Sequence, residues 1–138
     1  MIDTSTEFGQ RVQRRLDDEI IGWLTTVTPG GQPQSVPIWF LWQADETLLI
    51  FSKADAPKLR HIRNNPHVSF NLDSDRRGGD IIRLEGAAEI VGTLVATEVP
   101  DFIEKYRDGF KRIGMTPDEF AATYSVAVTM KRAKVRGH

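Results

Sequence analysis

The chain has 138 residues, no cysteine, 40% hydrophobic residues and a formal net charge of −1. That length is one ordinary domain, residues 1–138, with enough apolar content for a core but too little mass for one copy to enclose a large organic cofactor alone. Disulfides, thiol catalysis and cysteine metal sites are excluded. The near-neutral balance argues against a nucleic-acid partner, and no window supplies the roughly 18 apolar residues of a membrane span. The polar start lacks a signal-peptide core, so a cytoplasmic location is expected.

Thr6, Phe8, Val12, Leu16 and Ile20 recur at helical spacing and predict an N-terminal helix. Residues 22–28, rich in β-branched and aromatic types, predict a strand. Pro29-Gly30-Gly31-Gln32-Pro33 makes a turn, residues 34–42 return as a second strand, and Asp45-Glu46 turns the chain into a third, residues 47–53. These three strands are expected to form a meander. A helix follows, capped by Asp55 or Ala56 with Pro57 in its first turn and Leu59 and Ile62 facing inward, ended by Asn65-Pro66.

Residues 67–72 predict a fourth strand, residues 73–80 a polar loop, and residues 81–92 a long fifth strand. In that strand Ile82, Leu84, Ala88 and Ile90 oppose Arg83, Glu85 and Glu89. Helical spacing over residues 94–110 is interrupted near Pro100. Thr116 and Glu119 form a capping-box pattern opening another helix, and residues 124–135 predict the last strand. Strands dominate, and the first three lack the crossover helices of a doubly wound sheet. The expected fold class is therefore mainly β with peripheral helices, an antiparallel barrel whose closure removes exposed edges.

Three stretches carry candidate chemistry. The first is the strand-to-helix junction at residues 52–60, where free helix N–H groups, the Ser52 hydroxyl, the amines of Lys53 and Lys58 and the guanidinium of Arg60 suit a phosphate. Its alternative is a solvated basic helix face. The second is residues 36–42, apolar on both faces, with Trp39 and Trp42 at opposite parity. One indole is then available for a flat aromatic ligand or a partner subunit, unless the strand is simply buried on both sides. Pro37 removes a ladder donor and leaves backbone groups nearby for a ring with polar edges. The third is the loop of residues 73–80. It lacks the closing Glu of a calcium site and reads as an exposed hairpin, with Arg76 and Arg77 within reach of an anion across a dimer interface.

No other constellation stands out. His61 reads as a surface residue on the basic helix, and no carboxylate pair, nucleophile elbow, P-loop or dinucleotide glycine pattern is present. No metal site and no catalytic side chain is expected, which places the chemistry of any enzyme here on a cofactor.

Seven segments occur in a familiar order between residues 20 and 91. They are Leu24-Thr25-Thr26-Val27, Gly31-Gln32-Pro33-Gln34, Val36-Pro37-Ile38-Trp39-Phe40, Phe51-Ser52-Lys53, Lys58-Leu59-Arg60, Asn65-Pro66-His67-Val68-Ser69-Phe70 and Leu84-Glu85-Gly86-Ala87-Ala88. In this series the sequence resembles the pyridoxamine-phosphate-oxidase-like split-barrel superfamily, and within it the actinobacterial deazaflavin-dependent oxidoreductases that use coenzyme F420.

The resemblance implies a six- to seven-stranded antiparallel split β-barrel of the FMN-binding type. It also implies a homodimer with two cofactor sites at its interface. The cofactor ring would lie along Val36, Pro37, Ile38 and Trp39, and its phosphate at Ser52, Lys53, Lys58 and Arg60. The implied reaction is hydride transfer from reduced deazaflavin to an electron-poor small molecule. His61 departs from the pattern, because relatives often carry Asn after the Lys-x-Arg run. FMN in the same groove is the rival cofactor, and a flavin- or haem-carrying protein without turnover is the rival class.

Overall fold

The computed structural model describes residues 1–138. The first helix, α1 (Glu7–Asp18), starts where Thr6 takes an extended conformation and its hydroxyl accepts the Gly9 N–H at 2.9 Å. It buries Val12 and Leu16. Glu19 is already extended, so Ile20 lies beyond the helix and is 43% exposed rather than part of its inner face.

Eight strand segments follow from the six predicted strands: β1 (Gly22–Val27), β2 (Pro33–Ile38), β3 (Leu41–Trp42), β4 (Thr47–Ser52), β5 (His67–Asn71), β6 (Ile82–Val91), β7 (Val126–Lys131) and β8 (Lys134–Gly137). The sheet order is β2-β1-β5-β6-β7-β4-β3, with β8 also on β6, and every pairing is antiparallel. The two ends of that order, β2 and β3, are separated in the chain by Trp39 and Phe40 alone. The sheet therefore curls until its edges meet at a covalent link, which is a split barrel.

This corrects the expected meander. Only Leu41 and Trp42 of the second predicted strand, as β3, lie beside the third, on β4; the rest, β2, pairs with β1 at the far end of the sheet order, and the other neighbour of β4 is β7. The predicted strand over residues 34–42 breaks because adjacent side chains anchor in different cores. Phe40 is fully buried inside the barrel, edge-on to Phe70 with ring centres 4.9 Å apart. Trp39 turns the other way, onto the C-terminal helices. Gly22 sits beside this corner because the Phe70 ring leaves no room there; a Cβ would stand 2.2 Å from it.

The predicted last strand is also divided. Its β7 part pairs Met130 with Ala88, and its β8 part resumes with Lys134 opposite Glu85, so it carries one extra residue along β6. Such a bulge bends the strand; Arg132 absorbs it at φ +57.

Two cores result. Inside the barrel, 19 buried residues include Val12 and Leu16 of α1 and Leu59 and Ile62 of α2 (Pro57–Asn64). Outside it, ten more lie between β3, β4 and β7 and the C-terminal helices α3 (Pro100–Lys105), α4 (Arg107–Ile113) and α5 (Pro117–Thr123). β4 serves both cores and is buried at all six positions: Leu48 and Ile50 point into the barrel, Leu49 and Phe51 toward the helices.

Candidate functional site

Where β2 runs out, a cleft of about 270 Å³ opens between the barrel and the C-terminal helices. Pro37, Ile38 and Trp39 form one side, with Ile21 beside them. Phe51 of β4, Lys58 of α2, and Ile113, Phe120 and Tyr124 from the C-terminal helical segment complete the lining. Three larger grooves, of about 350, 490 and 530 Å³, are more open: one beside Ala44 and Glu46, one beside Trp23 and Asn71, and one beside His67, Arg132 and Lys134. The smaller cleft is the better candidate, because ligand pockets are mostly apolar with few convergent polar groups.

Lys58 is that polar group. Ala56 caps α2 without a side-chain bond, Pro57 occupies the first turn, and no acid stands there. The Lys58 amine is half-buried and no carboxylate lies within ion-pair distance. Burial lowers its pKa from the ordinary lysine value. A partly desolvated, unpaired ammonium in an apolar cleft is the kind of group that an anion would stabilise.

The other predicted site residues divide. Lys53 is exposed, its Nζ 5.6 Å from the ring centre of the cleft residue Tyr124. Ser52 is fully buried and its hydroxyl donates to the Lys53 carbonyl at 2.9 Å. Val36 immediately precedes the lining residue Pro37 and is 38% exposed. Arg60 is exposed on α2 and does not line the cleft. Arg76 and Arg77 are exposed in the β5–β6 loop, also away from the lining. That loop is braced at its base: Arg15 of α1 donates to the Asp80 carbonyl at 2.8 Å, and Arg11 pairs with the Asp80 carboxylate at 2.9 Å. The Asp75 carboxylate is taken by the Arg77 and Gly79 N–H groups.

His61 is a correction. It is 6% exposed, with Nδ1 2.8 Å from the Thr26 hydroxyl, itself buried. The helix turns this position toward β1, between Leu59 and Ile62, so it ties α2 to the barrel and offers no surface contact. Trp42, the other indole considered for a ligand, is buried in the barrel core, which leaves Trp39 as the cleft tryptophan.

Sequence reasoning missed the helical wall. Tyr106 and Phe110, like Phe120 and Tyr124, are aromatic pairs four residues apart and so share a helix face. The Trp39 indole lies against Tyr106, Phe110 and Phe120. The spacing was visible in the sequence, but nothing local says that Trp39 comes to meet it.

Fold and cleft together define a split-barrel protein with a mostly apolar, lysine-bearing cleft beside the link between β2 and β3. The chain belongs to the pyridoxamine 5'-phosphate oxidase family, whose model matches residues 8–135. No curated protein matches the sequence. Among solved structures, an F420 reductase is similar at 21% identity and a TM-score of 0.69, covering 90% of this chain and 94% of that one. The conserved hypothetical protein Rv2991 from Mycobacterium tuberculosis is similar at 25% identity and a TM-score of 0.68, covering 96% and 85%. HutZ, the heme storage protein from Vibrio cholerae, is similar at 12% identity and a TM-score of 0.63, covering 94% and 92%.

Proposed function

We propose that the protein is an oxidoreductase that binds coenzyme F420 in this cleft and directs a hydride to an electron-poor small-molecule acceptor, acting as a homodimer in the cytoplasm. The observation that carries this reading is the half-buried, unpaired Lys58 amine within an otherwise aromatic and aliphatic cleft. Flat walls at Trp39, Phe120 and Tyr124 suit a planar ring, and the amine suits a phosphate beside it. The residues present therefore fit a cofactor that is planar at one end and anionic at the other.

Bound there, the reduced deazaflavin would supply the hydride. The chain's own part is to align and to dry the site: Ile38, Trp39 and Phe120 exclude water and fix a plane, which is the main demand of hydride transfer. Lys58 would neutralise charge within the cleft. Lys53 and Arg60, exposed nearby in sequence, extend positive charge beyond the cleft, where an anionic tail would run. Ser52 would join them only if its hydroxyl turned from the Lys53 carbonyl. The F420 reductase likeness supports this reading.

The cleft is smaller than the ~300–1,000 Å³ usual for ligand sites, so one copy covers only part of such a molecule. A second copy supplies the remaining wall in this reading, and Arg76 and Arg77 are the residues with reach toward the partner's cofactor.

One observation favours FMN as the second reading: a single amine lines the cleft, enough for one terminal phosphate. A haem carrier, the use named for HutZ, is less well supported. None of the three histidines lines the cleft.

Titration of the purified protein with F420, FMN and haem tests the proposal. F420 is expected to bind most tightly, and Lys58→Ala to weaken binding, more so at low salt, where charge contacts are less screened. Tight FMN binding with negligible F420 binding would sink the F420 reading. Equal affinity in Lys58→Ala would move the phosphate elsewhere.

A further inference from the structure

The wall that Trp39 gives the cleft is packed against other aromatic rings, one of which, Phe120, also lines the cleft. Its indole is nearly parallel to the Tyr106 ring, with centres 4.4 Å apart and planes at 6°, and to the Phe120 ring, at 5.4 Å and 15°. Phe110 meets it edge-on at 5.7 Å and 68°. Stacked and edge-on contacts are the arrangements that the charge distribution of aromatic rings favours.

Two further observations bear on how the indole is held. Gly109 lies inside α4, where glycine costs about 1 kcal/mol relative to alanine. A Cβ built there would stand 3.0 Å from Trp39 Cη2 and 3.1 Å from Cζ2. The helix thus carries a locally unfavourable residue at the point where the indole lies against it.

Tyr106, at the junction of α3 and α4, uses both of its ends. Its ring stacks on Trp39. Its buried hydroxyl accepts the Phe40 N–H at 2.8 Å and lies 2.8 Å from the Ile20 carbonyl and 3.0 Å from the Phe40 carbonyl, either of which can take its proton. The residues next to those groups, Trp39 and Ile21, both line the cleft. One side chain therefore fixes the break between β2 and β3, the chain entering β1, and the indole plane.

We propose that Tyr106 and Gly109 are positioning residues that hold the Trp39 indole as a preset wall, fixing the plane against which a ring in the cleft lies. The inference rests on the reading of the cleft as a site for a planar cofactor. It goes beyond that reading by naming what orients the wall.

The test uses the full chain labelled with fluorotryptophan. The three tryptophans give three fluorine NMR lines, and Trp39→Phe assigns one of them to Trp39. Gly109→Ala is expected to shift or split the Trp39 line and leave those of Trp23 and Trp42 in place. It is also expected to weaken the better-binding of F420 and FMN about tenfold, the worth of one lost aromatic contact. Tyr106→Phe is expected to move the same line. Should that variant fail to fold, because it strands the buried Phe40 N–H, Gly109→Ala decides alone.

A Trp39 line that does not move in Gly109→Ala overturns the proposal. So does a line that moves while affinity stays at the wild-type value. Failure of the wild type to bind either cofactor is instead a failure of the functional reading. In that case the fluorine spectra alone decide whether the seat positions Trp39, a shifted line upholding it and an unmoved line overturning it.

Discussion

Lys105 shows how one charged side chain is held inside an aromatic corner. Its Nζ lies 3.8 Å from the centre of the Phe40 ring and donates to the Phe40 carbonyl at 2.9 Å. Burial pulls its pKa down to about 8, although the carboxylates of Asp17, Asp18 and Glu19 act in the opposite direction. The consequence for stability follows by linkage. Below about pH 8 the amine is charged in both the folded and unfolded chains, and the desolvation cost is fully present. Between there and the ordinary value of 10.5 the unfolded chain holds more protons than the folded one, so rising pH stabilises the fold through this group. Wild type is therefore expected to gain stability relative to Lys105→Met as pH rises through that window. Urea unfolding of both proteins at several pH values checks this, and a constant difference would show that Lys105 titrates normally. Neither this burial nor that of His61 was legible in the sequence. The helical wheel places His61 between Leu59 and Ile62, but only the Thr26 hydroxyl across the interface makes burial of an imidazole affordable.

At the scale of elements, local rules succeeded where the determining atoms are close in sequence. Thr116 and Glu119 form the expected reciprocal cap: the Glu119 N–H donates to the Thr116 hydroxyl at 3.1 Å and the Thr116 N–H to the Glu119 carboxylate at 3.0 Å. Pro57 and Pro117 begin their helices, where a missing N–H costs nothing. Alternation in β6 put Ile82, Leu84 and Ala88 inside. Local rules failed at residues 39–40 and at Arg132, because both strand breaks depend on distant partners. The first needs Tyr106 and Phe70 to draw neighbouring side chains apart, and the second needs the curvature of β6. The site divides the same way. Lys58 and the residues from Pro37 to Trp39 were legible as a lysine beside an apolar strand, whereas Phe120, Tyr124 and Ile113 reach the cleft only through the packing of the outer core. Because the cap of α5 is local, its loss should be local too. Thr116→Ala is expected to cost about 1 kcal/mol, a fall in Tm of roughly 3 °C for a chain of this length. Heat unfolding followed by circular dichroism reads it, and an unchanged Tm would mean that α5 is held by Phe120 burial alone.

The whole molecule leaves few large hydrophobic side chains exposed, and their positions are informative. Apart from Met1, the large hydrophobic residues that stay exposed are Ile20, Val36 and Ile113, at 43%, 38% and 43%. Ile113 lines the cleft, and Ile20 and Val36 directly precede the lining residues Ile21 and Pro37. Scattered exposed aliphatics need no explanation, but one that lines an undersized cleft, with two more next in sequence to lining residues, is what a covered surface would leave exposed in a single copy. The edge beside it is guarded: Pro33 and Pro37 remove two N–H donors from β2, which pairs with β1 alone in the sheet order. That favours a side-chain-mediated contact over open-ended strand addition. A second copy of this chain answers both needs, since it would bury the three aliphatics and supply the missing wall. The expectation is a sedimentation-equilibrium mass of two chains for wild type. Ile113→Lys should shift that mass toward one chain and weaken cofactor binding in step, while its circular dichroism stays that of the folded protein. A wild type that sediments as one chain with full cofactor affinity would show that a single copy completes the site. Ile113 would then stand at the entrance of the cleft for the acceptor of the proposed reaction.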